Sequence, residues 1–195
     1  KVSSARAATR LLSFDSAKNP IDVIFFTGVA GSAHPKLKQW DIVISSEVVQ
    51  HDMDARPLFD RYVIPALKKD RLRPAKKWFD WVSESLEKRI TSPELAKFGT
   101  VTDGLIATGD KFINDNSLID KLSNELFGLL AVEMEGAAVA QVAEQEGIPW
   151  LIIRVISDGA DSSAAEKFNI FLEKYNKYSW NLIEGILKEY RNAPF

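Results

Sequence analysis

Residues 129–161 read LLAVEMEGAAVAQVAEQEGIPWLIIRVISDGAD, and this stretch decides the fold. It opens on a short apolar run, 130–132, that reads as a strand and ends in Glu133-Met134-Glu135. Small residues at helical spacing follow over 136–145, with Gly147 as the residue after the helix and Pro149 behind it. Residues 150–156 then form a second apolar run, rich in β-branched side chains and interrupted only by Arg154. Strand, helix, strand is the repeating unit of an α/β protein with a mostly parallel central sheet.

The rest of the chain keeps the alternation. A helix is expected over 2–14 and a loop over 15–20. A buried strand follows over 21–27, and Gly28-Val29-Ala30-Gly31-Ser32 reads as a tight turn after it. One or two strands fall in 40–50, a helix in 75–90 and a short turn at Ser92-Pro93. A strand interrupted at Gly104 spans 98–108, a helix 116–127, and a long helical region closes the chain over 164–190. Residues 51–74 have no clean period and carry Pro57, Pro65 and Pro74. Irregular excursions of this length are uncommon and often functional.

Bulk composition narrows the function. The 195 residues suit one domain, and no repeat or second-domain linker interrupts them. With 25 basic and 27 acidic residues the formal net charge is −2, which lacks the basic excess of a nucleic-acid binder. The absence of cysteine excludes a disulfide framework, a thiolate nucleophile and a cysteine zinc site, and fits a cytoplasmic protein. No apolar run reaches the roughly 18 residues of a membrane span, and Lys1 to Arg6 lack the apolar core of a signal peptide. His34 and His51 do not cluster with other ligands, so no metal is expected. The basic residues Lys68, Lys69, Arg71, Arg73, Lys76 and Lys77 read as a solvated face, and Trp78, Phe79 and Trp81 as helix packing.

In open α/β sheets, ligands bind beyond the carboxyl ends of the strands. Four such ends carry candidate chemistry here: Thr27 to Gly31, Thr108 to Ile113, Glu133 to Glu135, and Arg154 with Ser157 and Asp158. Each has a structural and a functional reading. Gly28 and Gly31 let backbone approach a ligand or simply shape the chain. Glu133 and Glu135 offset a helix dipole or bind a ligand. Asp158 caps the next segment or acts as an acid. Arg154 within an apolar strand demands a partner or a ligand.

The pairing of Val132-Glu133-Met134-Glu135-Gly136-Ala137-Ala138 with Arg154-Val155-Ile156-Ser157-Asp158-Gly159-Ala160-Asp161 resembles the nucleoside phosphorylase/hydrolase superfamily. Within it, the chain is most similar to the 5′-methylthioadenosine/S-adenosylhomocysteine nucleosidases. Thr27-Gly28-Val29-Ala30-Gly31, Asp41-Ile42-Val43, His51-Asp52-Met53-Asp54 and Thr108-Gly109-Asp110-Lys111-Phe112-Ile113 extend the likeness along nearly the whole chain. The resemblance implies a phosphorylase/hydrolase-like three-layer α/β/α fold with a mostly parallel, mixed central sheet. It implies cleavage of the N-glycosidic bond of a 5′-substituted adenosine by water, without metal or cofactor.

The same resemblance implies the roles of individual residues. Glu135 would accept hydrogen bonds from the ribose 2′- and 3′-hydroxyls, Met134 would pack on the ribose, and Glu133 would stay nearby. Phe112 would stack on the purine and Ile113 would offer backbone groups to its edge. Asp158 would protonate or hydrogen-bond N7, oriented by Ser157, while Arg154 would help hold the attacking water. Phe168 would line the pocket of the 5′-substituent, and Ala30, Gly31 and Val132 would complete the substrate contacts.

Members of the family begin with a strand and a loop whose glutamate activates the water. These residues start after that region, so the expectation is one nucleoside phosphorylase-like domain over 1–195 lacking its N-terminal strand region. Val29 stands where family hydrolases often carry a serine, leaving the water to backbone amides, Arg154 and that glutamate. A phosphorolytic purine or uridine phosphorylase, with Arg56 near phosphate, and a nucleoside-binding relative with little catalysis are the alternatives. A homodimer is implied as well, with Leu58, Phe59 and Pro65 of the irregular segment reaching the neighbour's pocket.

Overall fold

The structure, a computed structural model, describes residues 1–15, 18–160 and 164–195. Asp161, which closes the stretch quoted above, lies outside the described residues. Six strands form one mixed sheet: β1 (Ile24–Ser32), β2 (Ile42–Gln50), β3 (Arg71–Leu72), β4 (Val101–Thr108), β5 (Leu129–Glu133) and β6 (Trp150–Asp158). The helices are α1 (Val2–Leu12), α2 (Lys76–Arg89), α3 (Asn116–Glu125), α4 (Gly136–Glu146) and α5 (Ala164–Lys188).

The long pairings are parallel: β1 with β6, β2 with β4, and β4 with β5. Two antiparallel contacts curl the sheet onto itself. Ile42, Val43 and Ile44 of β2 face Val155, Arg154 and Ile153 of β6. On the other side, β1 meets β5 only where Gly31 faces Val132 and Ser32 faces Ala131. β1 and β6 therefore run against β2, β4 and β5. At the short β1–β5 seam the carboxyl ends of the two sets overlap.

β6 is buried along its whole length, as an apolar run covered on both faces must be. Leu151, Ile153 and Val155 point to one layer, where Val82 and Leu86 of α2 and Phe171, Leu182 and Ile186 of α5 pack. Trp150, Ile152 and Ile156 point to the other, where Ala137, Ala140 and Ala143 of α4 meet the sheet. Alanines let α4 lie close to the strands, and α1 packs against α4. Leu122 of α3, with Leu126 just beyond it, covers Leu105, Ala107 and Leu129. The result is the expected three-layer α/β/α arrangement. Each fully buried Leu or Ile contributes about 1.5–3 kcal/mol.

The segment read as a glycine turn is not a turn. β1 continues through Gly28 to Ser32 because it stays paired with β6, from Ile24 opposite Trp150 to Gly31 opposite Asp158. Its glycines act sideways. A Cβ on Gly28 would lie 3.3 Å from Arg154 Nη1, and one on Gly31 would lie 3.2 Å from Asp158 Oδ1. The strand needs no side chain there because its neighbour's polar groups occupy the space.

Residues 51–74 are irregular as expected, holding only β3 and an isolated bridge between Ile64 and Lys69. Much of the nearby basic patch is ion-paired: Arg71 and Arg73 with Glu47, Lys69 with Glu144, and Lys76 with Asp80.

Ile153 tests the closed sheet, since its side chain is fully buried on the strand that pairs with both β1 and β2. Ile153→Ala should lower stability by about 2–5 kcal/mol, read as a lower urea midpoint at unchanged slope. Leu187→Ala, on the exposed side of α5, should stay within about 0.5 kcal/mol of the parent.

Candidate active site

The overlap of strand ends forms a cleft. About 540 Å³ of space free of protein atoms, open solvent included, lies between the residues that line it. β1 contributes Val29, Ala30 and Gly31; β5 and the turn after it contribute Val132, Glu133, Met134 and Glu135. The end of β6 contributes Ser157 and Asp158, the segment after β4 contributes Lys111, Phe112 and Ile113, and α5 contributes Phe168. Every substrate-binding residue expected from sequence is present, as are Ser157 and Asp158.

Arg154, expected beside the attacking water, is the exception. It does not line the cleft but lies behind its wall, with its side chain 1% exposed. Nη2 donates to Glu133 Oε2 at 2.8 Å and Nε approaches the same oxygen at 3.3 Å. Nη1 donates to the carbonyls of Phe26 and Ile153, both at 3.2 Å, and the guanidinium lies over the Phe26 ring. A guanidinium held in this way positions the groups around it.

Glu133 is the other half of this buried unit. Its carboxylate, 2% exposed, accepts backbone N–H bonds from Glu135 (3.0 Å) and Gly136 (2.7 Å), and the Thr108 hydroxyl. Thr108 Oγ1 in turn accepts the Ala137 N–H at 2.8 Å. Thr108 was quoted at a strand end without a role from sequence. The signal for it was a hydroxyl at the end of β4, where a small-residue helix begins on the neighbouring strand. Together Glu133 and Thr108 satisfy the open amides at the start of α4, which no cap within the helix would serve. With Glu133 engaged there, Glu135 is the acid whose carboxyl faces open space. Loss of hydration, and then the charge of Glu133, push its carboxyl above the usual glutamate range.

At the end of β6 the ladder takes a step. Ala30 faces Ile156, but Gly31 faces Asp158, so Ser157 has no counterpart on β1. An extra residue of this kind re-aims side chains, and here it brings two neighbours to one place. Ser157 Oγ lies 2.6 Å from Asp158 Oδ2 and 3.2 Å from the Ala30 carbonyl oxygen. Asp158 Oδ1 accepts the Ala160 N–H at 2.8 Å. A hydroxyl has one proton and two lone pairs. Ser157 can donate to Asp158 when that acid is charged. It can turn to the Ala30 carbonyl and accept when the acid is protonated. The pair thus suits a carboxyl that changes protonation state during a reaction.

The aromatic wall is an edge-to-face pair, Phe112 and Phe168, with ring centroids 6.0 Å apart. Phe112 is 41% exposed, leaving ring surface for a planar ligand. The loop that carries it is tied down by Asp52, which accepts the Asp110 N–H at 2.8 Å and Lys1 Nζ at 2.6 Å. Burial alone would raise the Asp52 carboxyl; those two donors outweigh it and hold it below the usual range. Lys111, beside Phe112, was quoted within a motif but given no role from sequence.

Known proteins resemble this chain in sequence and in fold. The sequence model of the Phosphorylase superfamily matches residues 1–188. The 5′-methylthioadenosine/S-adenosylhomocysteine nucleosidase of Geobacillus kaustophilus is 38% identical over 188 residues, covering 96% of this chain and 75% of that protein. Its counterpart in Anoxybacillus flavithermus is 36% identical over 190 residues, covering 97% and 77%. Among solved structures, S-adenosylhomocysteine nucleosidase from Streptococcus pyogenes in complex with 5-methylthiotubericidin gives a TM-score of 0.83 at 30% identity, covering 100% of this chain and 76% of that one. Futalosine hydrolase of Helicobacter pylori gives 0.82 at 29% identity, covering 97% and 76%.

The buried pair makes its own prediction. Arg154→Met should destabilise by about 3–5 kcal/mol, because it strands the Glu133 charge. Combining it with Glu133→Gln should recover part of that loss, measured as a coupling energy in a double-mutant cycle. Simple additivity would mean the two groups do not act as a unit.

Proposed function

The chain belongs to the 5′-methylthioadenosine/S-adenosylhomocysteine nucleosidase family of the phosphorylase superfamily, and we propose that it hydrolyses the N-glycosidic bond of those two nucleosides. The observation that carries the reading is the placement of two carboxyls from different strand ends, Glu135 and Asp158, on one cleft with an exposed aromatic face.

In this reading the purine lies against Phe112 with its N7 toward Asp158. The ribose lies over Met134 with its 2′- and 3′-hydroxyls donating to Glu135. As the bond between C1′ and N9 breaks, its electron pair moves onto adenine, and Asp158 delivers a proton to N7. Water adds to C1′ and gives up a proton, so the products are adenine and the 5-thio-substituted ribose. Ser157 holds Asp158 in either protonation state. The proton that the water gives up passes to a base other than Glu135 and Asp158. Arg154 and Glu133 contribute by fixing the start of α4 and hence Glu135.

The proposal extends to the protein's setting. It acts in methionine salvage in the cytoplasm, and among the described residues no helix is long and apolar enough to cross a membrane. A homodimer is part of the same reading, with the irregular 51–74 segment as the contact. Leu58 there is 84% exposed, and light scattering would report the mass.

Adenine release from 5′-methylthioadenosine in phosphate-free buffer is the direct test. Strict dependence on phosphate would replace hydrolysis by phosphorolysis. Asp158→Asn should lower kcat by roughly 100-fold or more while leaving the unfolding transition cooperative. A second measurement concerns pH. Glu135 must be ionised to accept two hydroxyl donors, and its carboxyl titrates above the usual glutamate range. Sugar binding is therefore present above that raised value and lost as pH falls through it. KM should climb on this acidic limb at a pH higher than an ordinary glutamate would give. Glu135→Gln should raise KM and remove the limb.

A further inference from the structure

One charge on the cleft is left over by this account. Lys111 is exposed and lines the opening next to Phe112, the only cation among the described lining residues. Its ammonium makes no hydrogen bond or ion pair among the described residues. The nearby Asp115 carboxylate feels the Lys111 charge without bonding to it, and its Oδ1 accepts the Ser117 N–H at 2.9 Å and the Ser117 hydroxyl at 2.8 Å as the cap of α3. The three acids on the cleft have other partners or tasks: Glu133 is matched by Arg154, Glu135 faces the sugar and Asp158 the purine.

Neither adenine nor ribose carries a negative charge for Lys111 to meet. The 5′-substituents differ in this respect. A methylthio group is neutral, whereas the homocysteine group ends in an α-carboxylate and an α-ammonium. Phe112 touches Phe168, the wall expected beside the 5′-substituent, and Lys111 is the next residue along the chain. A lysine is a point charge on a flexible four-carbon stem, so it can follow a group that leaves the cleft.

We infer that Lys111 recognises the carboxylate of a charged 5′-substituent and so biases this cleft toward S-adenosylhomocysteine over 5′-methylthioadenosine. The inference rests on the nucleosidase reading above. Because the ammonium stays hydrated at the rim, its contribution is that of an exposed ion pair, about two- to fivefold in affinity, and it falls as salt is added.

The test uses equilibrium binding in the Asp158→Asn background, where both nucleosides survive titration. Lys111→Met should reduce the preference for S-adenosylhomocysteine over 5′-methylthioadenosine by about two- to fivefold, and Lys111→Arg should keep it. Added salt should erode the preference in the parent but not in Lys111→Met. The α-carboxamide of S-adenosylhomocysteine should be indifferent to Lys111→Met. An unchanged preference in Lys111→Met overturns the inference, as does a carboxamide that loses as much as the acid. Failure of the wild-type protein to release adenine from either nucleoside would overturn the nucleosidase reading, and this inference with it.

Discussion

A single buried ion pair, Arg154 with Glu133, joins the parts of this molecule that make its cleft. Two charges removed from water cost several kcal/mol each unless geometry and added hydrogen bonds offset the loss. Here they do. The guanidinium reaches carbonyls on β1 and β6, and the carboxylate on β5 gathers amides at the start of α4 and the hydroxyl that ends β4. Five elements are thus held to one point. The pair supplies the tie across a seam where β1 and β5 share only two register positions.

That seam also explains why a rule for open sheets works in a sheet that closes. Ligands gather at carboxyl strand ends, yet β1 and β6 run against β4 and β5. At the seam Gly31 pairs with Val132 and Ser32 with Ala131, which brings the carboxyl ends of both sets together. Glu135 and Asp158 can therefore face a common space although their strands point in opposite senses.

Much of this was legible in the sequence, and the failures have physical causes. Apolar period and helix stops marked the strands and α4, with its end at Gly147, because those signals are local. The motifs named the cleft-lining residues. Arg154 announced that it needed a partner, but several acids were available. Choosing Glu133 requires knowing that β5 and β6 flank β1, which is a matter of strand order. The glycines of β1 were misread for a similar reason. Alone, Gly28 to Gly31 look like a turn; beside β6 they are a strand that makes room for Arg154 and Asp158. Thr108 was quoted at a strand end without a role, because that role exists only once α4 is placed over β4.

The step in the ladder at Ser157 has a consequence for how such a chain can diverge. Side chains on a strand alternate between faces, and one position of slippage exchanges them. In β6 the alternation that buries Ile152, Ile153, Val155 and Ile156 is set from one end, while the aim of Asp158 depends on the extra residue at the other. A substitution along 150–158 leaves this alternation in place. Insertion or deletion of one residue does not, since it would turn either the core or the acid to the wrong face. Length, more than composition, is the constraint this strand is expected to impose.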